Sequence, residues 1–76
     1  MAALQRSIEP MPDFVAEALA GEGLRAAYDA RPPYQRNDYL GWINRAKRDQ
    51  TKQRRMQKML AELRAGQCYM GMDWRP

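Results

Sequence analysis

The chain has 76 residues, 45% of them apolar and 29% charged, with a formal net charge of +4 and a pI near 9.6. A chain this short forms one domain that buries only about 60% of its unfolded surface, so its stability margin is thin, and this composition excludes a disordered acidic or low-complexity chain. The lone Cys68 excludes an internal disulfide framework, the absence of histidine leaves no four-ligand zinc set, and no apolar run is long enough to span a membrane.

No metal and no cofactor is therefore expected. The opening stretch MAALQRSIEPMPDF lacks the apolar region and small-residue cleavage site of a secretory signal, and with the unpaired thiol this predicts a cytoplasmic, reducing location. Charge is uneven. Residues 1–30 hold two arginines against five acids, a balance of −3, while residues 45–64 hold eight basic residues against two acids, a balance of +6.

Residues 1–10 show no sustained period and read as a flexible leader; residues 11–66 read as the helical domain. Pro12 and Asp13 open a first helix, in which Phe14, Val15, Ala18 and Leu19 recur at helical spacing until Gly21. A short second helix is expected over 22–30, ended by Pro32-Pro33 because a residue before proline is pushed out of the helical region. Pro33 then opens a third helix with Tyr39, Leu40, Trp42, Ile43 and Ala46 as a wide apolar stripe. Gly41 inside it predicts the close approach of another element, the first helix being the candidate.

Asp49, or in its place Thr51, is the expected N-cap of a fourth helix, and Gly66 falls where a left-handed C-terminal residue belongs. Between them Met56, Met59, Leu60 and Leu63 repeat at i, i+3, i+4 and i+7. The tail, residues 67–76, has aromatics and methionines without a period, which leaves two states open: packed back on the bundle, or disordered. The fold class is all-α, a small bundle of about four short helices, with the third and fourth forming an αα-hairpin hinged at 48–50. Its expected core is Phe14, Leu19, Tyr39, Trp42, Ile43, Met56, Met59, Leu60 and Leu63.

Nothing in the sequence forms a catalytic set. Cys68 has no histidine to activate it, Ser7 and Thr51 belong to no triad, and no phosphate-cradling glycine loop is present. The candidate contacts for an anion or a partner are Lys52, Arg54, Arg55 and Lys58 on the fourth helix, with Tyr34 near the opening of the third. A solvated basic face is the favoured reading of the four cations, over a patch for phosphate, lipid headgroup or acidic protein. Arg55, at the margin of the apolar stripe, is expected to lay its stem over the core and pair with Asp38 or Glu17. The hydroxyls of Tyr34 and Tyr39 are expected in water. Met70 and Met72 are candidates for docking a partner.

The run PPYQRNDYLGWINRAK at 32–47, followed by TKQRRM at 51–56 and LRAG at 63–66, resembles the C-terminal helical domain of the bacteriocin-protection, YdeI/OmpD-associated family over about residues 10 to 67. The combination of Trp42, Ile43, Ala46 and Lys47 with Thr51, Lys52, Arg54 and Arg55 carries the resemblance. It implies an all-α bacterial domain linked, in some members, with tolerance to bacteriocins or cationic antimicrobial peptides and with outer-membrane porins, and it implies no catalytic residue. The expected function is a non-enzymatic interaction module that contacts a protein or envelope component. The alternative is a nucleic-acid-binding protein whose fourth helix lies along a groove.

Overall fold

Proline and glycine positions set the helix boundaries in the computed structural model, which describes residues 8–75. Helix α1 is Asp13–Gly21, α2 is Arg25–Asp29, α3 is Pro33–Arg45 and α4 is Asp49–Ala65; strands β1, Cys68–Tyr69, and β2, Met72–Asp73, follow. Helix α1 ends in a Schellman motif centred on Gly23, at φ 68°: Leu24 N–H donates to the Leu19 carbonyl at 2.9 Å and Gly23 N–H to that of Ala20 at 3.2 Å. The helix ends at Gly21 as expected, while the left-handed residue is Gly23 and the motif takes up 22–24. For that reason α2 is shorter than the expected 22–30.

Pro33 occupies the first turn of α3, where a missing N–H costs nothing. The cap of α4 is Arg48, in an extended conformation, so Asp49 is the first helical residue rather than the N-cap, its carboxylate near the positive end of the helix dipole. Gly66, at φ 85°, closes α4 with its N–H donating to the Glu62 carbonyl at 2.9 Å.

One core joins all four helices. Val15 and Leu19 of α1, Tyr28 of α2, Tyr39, Leu40 and Ile43 of α3, and Met56, Met59, Leu60 and Leu63 of α4 are buried together. Phe14 and Trp42 are only half-buried and pack on the edge of this cluster. For Trp42 this corrects the expectation of an interior ring: it lies at the outer margin of the α3–α4 seam, beneath the Arg55 guanidinium at 5.3 Å. Tyr39 lies in the core as expected, its ring fully buried, but its hydroxyl is not in water: it donates to Glu62 Oε1 at 2.5 Å.

The leader is anchored where it is described. Glu9 N–H donates to Asn37 Oδ1 at 2.7 Å and Asn44 Nδ2 to the Pro10 carbonyl at 3.0 Å, so residues 9 and 10 lie along α3; Ile8 before them is exposed, and residues 1–7 of the expected flexible leader fall outside the described residues. This also corrects the reading of Gly41. A Cβ there would stand 2.9 Å from Arg45 Nη1 and 3.2 Å from Glu9 Cγ, so the close approach comes from the leader and from Arg45, not from α1.

Of the tail, residues 67–75 pack back. β1 and β2 pair antiparallel, Cys68 opposite Asp73 and Tyr69 opposite Met72, and Trp74 N–H donates to the Gln67 carbonyl at 3.1 Å. The two-residue turn Met70-Gly71 has positive φ at both positions, 52° and 81°, the backbone of a type I′ hairpin.

Candidate functional site

The last carbonyls of a helix have no partner within it, and its C-terminus carries partial negative charge. At the end of α3, Ala46 N–H turns to the Ile43 carbonyl and leaves those of Trp42 and Asn44 open. Arg55 Nη1 donates to the Trp42 carbonyl at 2.6 Å, and Lys52 Nζ to the Asn44 carbonyl at 3.0 Å. The expected pairing of Arg55 with Asp38 or Glu17 is therefore replaced by a helix-end contact, because the α3–α4 hairpin brings those carbonyls over its guanidinium.

The five candidate contact residues do not form one patch. Lys52 and Arg55 are spent on α3, Lys58 stands 3.6 Å from Glu62 Oε2, and Arg54 is exposed. Tyr34 is 49% exposed at the opposite end of α3, about 12 Å along the axis from Trp42. Arg45, Lys47 and Arg48, at and before the hinge, are exposed, as is Arg54 further along α4.

Beneath the β-hairpin lies a polar cluster that sequence reasoning missed: Arg31, Gln35 and Glu62, all buried. The Glu62 carboxylate accepts three hydrogen bonds, from Tyr39 at Oε1, from Met70 N–H at Oε1 (2.8 Å) and from Gly71 N–H at Oε2 (2.7 Å). The two amides belong to the positive-φ turn, so the turn forms a small anion nest around the carboxylate. Burial alone would raise the Glu62 pKa, but the bonds from Tyr39, Gly71 and Met70 and the charge of Lys58 outweigh it and hold the group below the usual carboxylate value. Burial and the same carboxylate push the Tyr39 phenol well above its ordinary value.

Arg31 completes the cluster. Its Nη1 donates to Gln35 Oε1 at 3.0 Å, its Nη2 to the Glu62 carbonyl at 3.1 Å, and its guanidinium lies 4.5 Å from the Trp74 ring centre. The sequence held one signal for the cluster: Glu62 lies three residues after Met59, on the flank of the apolar stripe. Aromatic rings bind the hairpin further, Tyr69 standing edge-on to both Tyr34 and Tyr39, with its hydroxyl donating to Asp38 Oδ2 at 2.6 Å.

On the other side of α3 an open groove of about 410 Å³ runs between the leader, α2 and α3. Tyr28 and Leu40 form its floor, Pro33, Tyr34 and Ile8 its rim, and Arg36 its cationic side. Among the described residues no group of acids, cysteines or histidines could hold a metal, and no helix is long and apolar enough to cross a membrane.

A family model described as bacteriocin-protection, YdeI or OmpD-associated matches residues 10–66. The chain belongs to that family. The match covers all four helices and stops at the left-handed Gly66, so the hairpin that closes over Glu62 lies beyond the matched span of this family member. No curated protein and no solved structure matches the chain.

Proposed function

We propose that this domain acts by contact rather than by catalysis, as a cytoplasmic helical module that engages a protein or envelope component and so contributes to tolerance of bacteriocins or cationic antimicrobial peptides. Membership of the bacteriocin-protection family is the observation that carries the reading. Two features support contact over catalysis. The buried charges of the Glu62 and Arg31 cluster are tied up in closing the hairpin, and the groove beside α3 offers apolar surface next to a cation. The nucleic-acid alternative loses support, since two of the four cations assigned to it serve the end of α3.

The test is protection. Expression of the chain in a bacterium killed by a cationic antimicrobial peptide should raise the lethal concentration, with the protein recovered in the soluble fraction. Unchanged killing in cells that accumulate the folded protein would refute the reading.

A further inference from the structure

Among the described residues, Arg36 Nε is the buried side-chain nitrogen that finds no hydrogen-bond acceptor. A buried guanidinium donor gives up its water and receives nothing in return, which native folds seldom leave uncompensated. Arg31 differs: it is buried, and Gln35, the Glu62 carbonyl and the Trp74 ring all meet its guanidinium, whereas Arg36 is half-buried at the groove and its Nε has no such partner.

Arg36 sits midway along the groove. Pro33, Arg36 and Leu40 share one face of α3, and the rise from 33 to 40 is about 10 Å, the reach of three extended residues. The walls are apolar and open to a ligand: Ile8 is 92% exposed and Tyr34 49%, while Tyr28 and Leu40 close the floor. Glu9 also borders the groove, but its carboxylate lies further along α3, with Oε1 3.5 Å from Asn44 Nδ2 and Cδ against Gly41. The complement of this surface is therefore a carboxylate flanked by apolar groups, since a carboxylate matches the donor fork of arginine.

We infer that the groove binds an extended peptide segment of a partner protein in which one acidic side chain stands between apolar ones, the carboxylate meeting Arg36 and the apolar neighbours packing on Ile8, Tyr34 and Leu40. This deepens the contact-module reading and rests on it for the nature of the partner.

The probe is acetyl-Leu-Glu-Phe-amide, titrated to millimolar concentration into the full chain labelled with nitrogen-15. Amide shifts should fall on residue 8, residue 28 and residues 33–40. Binding should weaken about tenfold or more when glutamine replaces glutamate in the peptide, or in the Arg36→Gln protein. Absence of shifts, shifts elsewhere, or equal binding of the glutamine peptide would overturn the inference. The peptide-side substitution decides the matter on the unaltered chain even if Arg36→Gln fails to fold. Failure here beside intact protection in cells removes the groove assignment alone, whereas binding without protection removes the family role and keeps the groove.

Discussion

Three cations of this chain meet carbonyls at helix ends. Arg55 and Lys52 meet the last open carbonyls of α3, and Arg31 meets a carbonyl in the final turn of α4. A sequence shows only that Lys52 lies off the apolar stripe, which predicts a nearly silent Lys52→Ala; the contact with Asn44 alters that expectation to a loss of about 0.5 to 1.5 kcal/mol, measurable by urea denaturation. Glu62 makes a sharper case because its protonation is linked to folding. Its folded pKa lies below the reference value of 4.5, so the stability it contributes is present above that value and is lost as pH falls through the folded pKa. Thermal melts at descending pH should therefore show the hairpin loosening below about pH 4.5, followed by Trp74 fluorescence, and Glu62→Gln should remove that acid limb while lowering stability at neutral pH. A Glu62→Gln melt that keeps the acid limb would assign it to another carboxylate.

At the scale of elements, what could be read from sequence was what is local. The α4 stripe, the proline that opens α3 and the left-handed Gly66 are each decided within a few residues, and all three stand in the structure. The buried cluster was illegible because Glu62 receives its two amide bonds only when the turn at 70–71 folds over it, and Arg31 meets the Glu62 carbonyl only when α4 packs against the segment between α2 and α3. The same dependence hid Arg55 in its true role, since the open carbonyls of α3 matter to it only through the hairpin angle. Likewise the groove at Arg36 needs the leader laid along α3, which no period announces. The hairpin turn supplies the test at this scale. Gly71 has φ 81° and open space around it, the nearest atom to an added Cβ being Lys58 Nζ at 4.0 Å, so Gly71→Ala brings backbone strain without a clash. It should cost about 1–2 kcal/mol and raise amide exchange in 67–74 while the core of α4 stays protected; uniform exchange across the chain would mean that hairpin and bundle open as one unit.

For the whole molecule, the question is whether its charge polarity or its shared core decides stability. The acidic and basic segments do meet, as Arg64 Nη2 stands 2.7 Å from Glu22 Oε1, but both side chains are about half exposed, and such pairs contribute little. Melting should thus respond only weakly to added salt. The core is another matter: Leu60, 2% exposed, lies in a cluster contributed by every helix, and a domain this small has on the order of 5 kcal/mol to lose. Leu60→Ala leaves a cavity between elements that cannot easily collapse without moving the surrounding helices, and should cost about 2–5 kcal/mol, lowering the melting temperature by roughly 10 °C or more. Gln57→Ala, one turn away on the exposed face of the same helix, should leave the transition in place. Equal melting of the two variants would mean that the inner face of α4 does not carry the fold, and the seam with α3, held by Arg55 and Lys52, would have to carry it instead.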